Sequence, residues 1–435
     1  MSRAIYLDEN EFPKSFYNVL PDLPEKIPPY VDPKTKEPAS LEAMAALFPI
    51  ELLKQEMNYD DRSIPIPAEL REVYIERLLR PRPLVRATNL EKHLGLPPDV
   101  KIFYKREDLS PTGSHKPNTA VAQAYYGMKE GVKGYATETG AGQWGSSLAY
   151  AGMLFGMDVE VFMVRCSYEQ KPYRKVMMNM FGADVKPSPS DTTQVGRKFL
   201  AEGRSSGSLG IAIAEAIERA VTTGKKYSLG SVLNHVCLHQ TIIGQECIEQ
   251  MKMADETPTH VFGCFGGGSN FAGIAFPFYE LNRNKKAGIR LIAVEPDTVP
   301  SLTKGKYEYD HGDSAGLTPL IKMHTLGKDF MPPPIYAGGL RYHGAAPSVS
   351  LMVKHKLVEA QTVSQADVNP MAELFAKSEG IIPAPETTHA IAAVVRTALE
   401  AKRKGAAATL LFNFSGHGLL DMAAYEKPGG AGQKK

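Results

Sequence analysis

Shortages in this sequence exclude several classes of function. Fifty lysines and arginines stand against 48 acids, a net charge of +2 with no clustered basic run. Neither nucleic acid nor an anionic membrane surface is therefore an expected partner. Cysteine is scarce: Cys166, Cys237, Cys247 and Cys264 form no CxxC pair and no cluster with nearby histidines. A disulfide framework and a zinc site are both poor readings, and a reduced, cytoplasmic setting fits. At the N-terminus Asp8 and Glu9 interrupt the chain before an apolar stretch develops, so no signal peptide is expected. One window, 257–279, lacks charge for long enough to span a bilayer, but the triple glycine 266–268, Ser269, Asn270 and Pro277 fall inside it. His239, His260, His311, His324, His343, His355, His389 and His417 show no ligand spacing, so no metal is expected. A nucleophile elbow with its acid and histidine partners is also missing, which leaves serine hydrolase chemistry without support.

What is present centres on residues 105–118, KREDLSPTGSHKPN. Lys116 lies between a loop and a helix start, with His115 before it and Asn118 two residues after. An amine there can condense with an aldehyde cofactor if its pocket favours the neutral form. Taken alone, a lysine at a helix start is usually just solvated. A second stretch changes the balance: Gly266, Gly267 and Gly268 follow an apolar run and precede Ser269 and Asn270. Glycines let backbone close on a bound group, and amides at a helix N-terminus point at a phosphate. A reactive lysine with a phosphate cradle points to pyridoxal phosphate.

The length, 435 residues, allows roughly two to four domains. Residues 1–40 are rich in proline and read as an extended arm, whose Phe12, Phe16, Tyr17 and Tyr30 argue that it packs on something. Apolar spacing predicts helices over 41–57 and 68–79, and alternation predicts a strand at 101–105 leading into the lysine loop. From residue 133 short apolar strands alternate with helical stretches. An irregular region, 295–350, interrupts the rhythm, which then resumes to 412. The glycine- and lysine-rich tail after Tyr425 reads as frayed. This is an α/β pattern: two doubly wound lobes with a ligand cleft between them.

Residues 138–145, ETGAGQWG, match Gly-x-Gly-x-x-Gly after a strand, with Glu160 near the place of a ribose acid. A nucleotide-binding oxidoreductase built on Gly140, Gly142 and Gly145 is thus the rival from another class. It leaves Lys116 and the triple glycine unexplained, and the same amides serve a substrate carboxylate equally well. Glu138, at the strand end, is the candidate general acid and base, since desolvation in a cleft raises a carboxyl pKa toward neutrality. Ser415 ends a strand before glycines. Its hydroxyl can face a pyridine nitrogen without fully protonating it, favouring elimination and replacement at Cβ over transamination.

Together with GIIPAPETTHA (380–390) and NFSGHG (413–418), these motifs in this order resemble the β subunits of tryptophan synthase, fold-type II pyridoxal-phosphate enzymes, and their longer second class in particular. The resemblance covers residue 82 to the C-terminus. It implies that Lys116 binds the cofactor aldehyde, with His115 near its phosphate, Asn118 near its ring hydroxyl and Glu386 close by. Gly266, Gly267, Gly268, Ser269 and Asn270 would cradle the phosphate, and Ser415 would face the ring nitrogen. Thr139, Gly140, Ala141, Gly142 and Gln143 would bind the amino-acid carboxylate, and Glu138 would assist departure of the β-hydroxyl and then steer indole. The implied reaction joins indole and L-serine into L-tryptophan. A serine or threonine dehydratase, or another β-replacement synthase, is the alternative within the superfamily.

The implied division is 1–80 as an arm and helices on the core, 81–114 with 236–435 as the phosphate lobe, and 115–235 as the lobe with a mobile subdomain that closes on substrate. Two departures stand out: Trp144 replaces a histidine of the shorter class, and Arg341 replaces an aspartate near the serine hydroxyl. That charge reversal suits an anionic leaving group, so O-phosphoserine is expected as well as, or instead of, serine. The N-terminal extension and altered loops favour a homodimer over pairing with an α subunit.

Overall fold

The computed structural model describes residues 3–426. Two sheets organise it. The larger has seven strands in the spatial order Ala4–Ile5, Leu84–Arg86, Val100–Arg106, Ala408–Phe414, His260–Cys264, Arg290–Pro296 and Glu359–Val363. The first two strands pair antiparallel, and from Val100–Arg106 onward every pairing is parallel. A second, four-stranded sheet is parallel throughout, in the order Asp184–Ser188, Asp158–Val164, Gly134–Thr139, Lys226–Tyr227. Both central strands, Ala408–Phe414 and Gly134–Thr139, are buried along their whole length, as expected where helices cover both faces of a parallel sheet.

Parallel register decides where the chemistry goes. With Phe414 opposite Arg106 and Phe262 opposite Phe412, three neighbouring strands end at one edge. The segments leaving it are the Lys116 loop, the triple glycine and Ser415. The Thr139–Gln143 turn leaves the smaller sheet in the same way, the usual site of ligands in open α/β sheets.

The N-terminal arm packs, as its aromatics imply: Phe12 and Phe16 are buried, and Phe12 lies 5.4 Å from Tyr74 between ring centres. Its first strand also extends the large sheet. Several expected elements differ. The helix expected over 41–57 is two, Leu41–Leu47 and Ile50–Glu56, because Pro49 cannot donate to the preceding turn. Two further helices, Asn234–Gln240 and Ile242–Met253, follow one another directly. Within the supposedly irregular 295–350, Lys306–His311 and Leu320–Thr325 form an antiparallel hairpin. Its inward positions, Ile321, Met323 and Thr325, are buried, but the polar partner strand hides the alternation from composition. The tail expected to fray lies, beyond Glu426, outside the described residues. Among those described, no helix is long and apolar enough to cross a membrane.

Candidate active site

Lys116 sits at the start of the helix Pro117–Lys129, where a proline at the first helical position needs no hydrogen-bond acceptor. Its Nζ donates to the Gly230 carbonyl at 2.9 Å. Burial of the amine pushes its pKa down to about 8, partly countered by Glu138, so a neutral nucleophile is accessible near neutral pH. A cavity of about 450 Å³ opens beside it, lined by His115, Lys116, Gly266, Gly267, Gly268, Ser269, Asn270, Glu386 and Ser415 among others.

The glycine turn at one wall is shaped for close approach. A methyl on Gly266 would lie 2.3 Å from the Gly339 carbonyl oxygen, and one on Gly267 would lie 2.4 Å from Ser231 Oγ. Gly268 has φ +122°, a backbone that favours glycine. The 17-residue helix Ser269–Lys285 begins there and turns its N-terminal amides and dipole toward the cavity, an anion site by construction. His115 reaches Ser269 Oγ at 3.4 Å. Burial, then the neighbouring lysine, pushes its pKa down to about 3, so it is a neutral hydrogen-bonding group. Across the cavity Ser415 Oγ shares a hydrogen bond with Thr387 Oγ1 at 2.7 Å. A basic amine, an anion cradle and a neutral hydroxyl fit pyridoxal phosphate.

A second cavity, about 400 Å³, shares Lys116, Gln143 and Gly339 with the first and adds Glu138, Thr139, Gly140, Ala141, Trp144 and Tyr342. Glu138 is buried, and desolvation raises its pKa to about 8 even though Tyr227 donates to Oε2 at 2.7 Å and Lys116 lies near. Gln143 Nε2 and the Gly339 amide both donate to Glu386, at 3.1 and 2.9 Å, and tie the two lobes together.

Three predicted positions behave differently. Asn118 does not line either cavity. It accepts from Arg80 Nη1 and donates to Glu107 and Gln240, all at 3.0 Å. Gly142, at φ +99°, packs its Cα against Arg174. Arg341 lines a smaller space beside Gly140, where its guanidinium donates to Ser167 Oγ at 2.5 Å and Cys166 Sγ at 3.1 Å. The nucleotide-binding alternative loses its acid: Glu160 is held by Lys186, Arg219 and Lys225 at 2.5, 2.9 and 3.7 Å.

Residues the sequence did not single out are Gly230, Tyr227 and Tyr342. The first two belong to or follow a two-residue strand, Lys226–Tyr227, too short to carry a periodic signal. A third and larger cavity, about 1330 Å³ and mostly apolar, lies behind them and shares Tyr342 with the second.

Residues 75–416 match the family described as "Pyridoxal-phosphate dependent enzyme". A protein named tryptophan synthase beta chain 2 from Thermotoga maritima is 56% identical over 98% of this chain and 100% of its own length. Its namesake from Aeropyrum pernix is 54% identical over 97% of this chain and 94% of its own. Among solved structures, the processed form of threonine deaminase isoform 2 from Solanum lycopersicum is similar with a TM-score of 0.58 at 19% identity, covering 82% of this chain and 92% of that one. Maize serine racemase has a TM-score of 0.57 at 16% identity, over 80% and 92% of the two chains. Those two likenesses concern the fold. The match across both lobes, and relatives more than half identical along nearly the whole chain, decide the matter: this chain belongs to the pyridoxal-phosphate dependent enzymes, among the tryptophan synthase beta chains.

Proposed function

We propose that the chain joins indole to the β-carbon of L-serine, giving L-tryptophan and water, with pyridoxal phosphate as its resident cofactor. The observation that carries this is Glu138 on the wall of the same cavity as Lys116, since expelling a hydroxyl and taking the proton of a neutral indole need an acid and base that a dehydratase or a cysteine or threonine synthase can do without. Once bound, the cofactor supplies the electron sink that acidifies Cα and frees the β-substituent.

The protein's residues do the rest. Lys116 Nζ would hold the cofactor aldehyde and, once released from it, would carry the α-proton. Gly266–Asn270 and His115 would hold the phosphate, and Ser415, oriented by Thr387, would face the ring nitrogen without protonating it fully. Amides and side chains of Thr139–Gln143 hold the carboxylate. Glu138, protonated near neutral pH by its desolvation, gives its proton to the departing hydroxyl and takes one back as indole attacks. Indole approaches from the apolar side, where Tyr227 and Tyr342 line the large cavity. The Gln143–Glu386–Gly339 bridge closes the lobes over the substrates and excludes water.

Product analysis tests the reading. Tryptophan formed from serine and indole together is expected, whereas pyruvate formed from serine irrespective of indole would point to a dehydratase.

O-phosphoserine is a second donor in this proposal, on one observation: among the described residues no carboxylate pairs with Arg341, whose partners are a serine and a thiol. A charge-assisted contact to phosphate predicts that Arg341→Ala loses about tenfold or more in kcat/KM with phosphoserine relative to serine. Equal loss with both donors would remove the idea. A cytoplasmic homodimer is the expected setting. Four unpaired cysteines fit the reducing compartment in that expectation.

A further inference from the structure

Glu138 is gripped from behind. Tyr227 is buried and donates its hydroxyl to Glu138 Oε2 at 2.7 Å. The residue's own backbone amide also reaches the carboxyl, no second side chain donates to it among the described residues, and it lines the cavity that also holds Lys116.

The strand that carries the phenol is held at several points, and the ring itself has one aromatic neighbour among the described residues. Its strand pairs with Tyr135 and Ala136. Thr137 Oγ1 donates to the Ser228 carbonyl at 2.5 Å and accepts from Trp144 Nε1 at 2.7 Å. Phe48, from the N-terminal segment, packs edge-on against the ring at 5.7 Å between centres, and Lys226 Nζ anchors the same strand to the carbonyls of Ala45 and Ala46.

We propose that Tyr227, backed by Phe48, is a positioning residue for Glu138: its hydroxyl occupies Oε2 and so commits Oε1 to the reacting molecule. The N-terminal segment thereby acts on the active site through a chain of three side chains. This rests on the reading of Glu138 as the acid and base of β-replacement.

The charged and titratable groups around the pair are few. Lys116 faces Glu138 from its helix start, Tyr342 faces both Glu138 and Tyr227, and Asp313 stands behind the two phenols, with Asp310 beside Tyr342. Burial next to Glu138 keeps the Tyr227 phenol protonated, so it only donates, and a donor favours the carboxylate form of its partner. Losing it must therefore raise the pH at which Glu138 ionises.

The test uses Tyr227→Phe, which keeps the ring, and reads the protonated-carboxyl infrared band that disappears in Glu138→Gln. In cofactor-free protein the titration midpoint of that band is expected to rise by about one pH unit or more, the worth of one hydrogen bond to a charged acceptor. In the holoenzyme kcat is expected to fall about tenfold with KM for serine little changed, a loss confined to the reacting step. Phe48→Ala should move the midpoint the same way by less. An unmoved midpoint in Tyr227→Phe overturns the proposal, and one in Phe48→Ala overturns the role given to the N-terminal segment. Should Glu138→Gln synthesise tryptophan at the wild-type rate, the acid–base reading fails instead, whatever Tyr227 does to the band.

Discussion

Lys116→Ala is expected to fold, to bind pyridoxal phosphate only reversibly, and to lose about 10³-fold or more in tryptophan synthesis. Proton transfer alone is worth about 10²–10⁴ in such reactions, and the same side chain carries the covalent attachment. Stability should not fall with activity. Desolvation pushes the amine's pKa down to about 8, so below that pH the folded protein keeps a charge that its surroundings disfavour. A folded-state pKa below the ordinary lysine value means that the penalty is fully present at lower pH and is relieved as pH rises from about 8 toward about 10.4. Removing the amine removes the penalty, and the cofactor-free variant should melt no lower than cofactor-free wild type at pH 7. A calorimetric Tm lower by several degrees would mean that the lysine is a structural group, with the chemistry elsewhere.

A larger effect on stability is expected from Glu107→Ala. Behind the Lys116 helix start, Arg80, Arg82 and Lys105 share two carboxylates, Glu107 and Glu246, all with fully buried side chains. Arg80 meets Glu107 at 3.0 Å and Glu246 at 2.9 Å, Arg82 meets Glu107 at 2.6 Å, and Lys105 meets Glu246 at 2.6 Å. Truncating Glu107 leaves three buried cations facing one carboxylate and removes a partner of Asn118. Breaking a buried pair from one side costs about 3–5 kcal/mol, a large share of a domain's net stability. Burial alone would raise the Glu107 pKa, but Arg80 and Arg82 outweigh it and hold it down to about 2. The carboxylate therefore stabilises the fold fully above the ordinary glutamate range, and that contribution is lost as pH falls toward 2. Denaturant unfolding at pH 7 should show the loss, and the gap between wild type and variant should narrow below about pH 4. A variant within about 1 kcal/mol of wild type would contradict this account of the cluster.

Much of the site was readable because its parts sit at the C-terminal ends of parallel strands, where short, peculiar motifs follow long apolar runs. Lys116, the triple glycine and Ser415 are of that kind. The sequence could not reveal what depends on pairing across the chain. Arg80 and Glu246 are 166 positions apart, so nothing local marked Asn118 as a member of an ion network rather than a neighbour of the cofactor ring. Tyr227 carries no local signal for a similar reason: its short strand is held by Tyr135 and Ala136, far upstream, and its ring packs on Phe48. In the fold, the hairpin at 306–325 gives no alternating apolar signal because its first strand is polar, with Glu308 and Asp310 in its middle.

The most direct test is to reduce the yellow holoenzyme with borohydride, digest it and locate the pyridoxyl group by mass spectrometry. The adduct is expected on Lys116 alone. A pyridoxyl group on another lysine, or none anywhere, would contradict the assignment of this cleft as the catalytic centre.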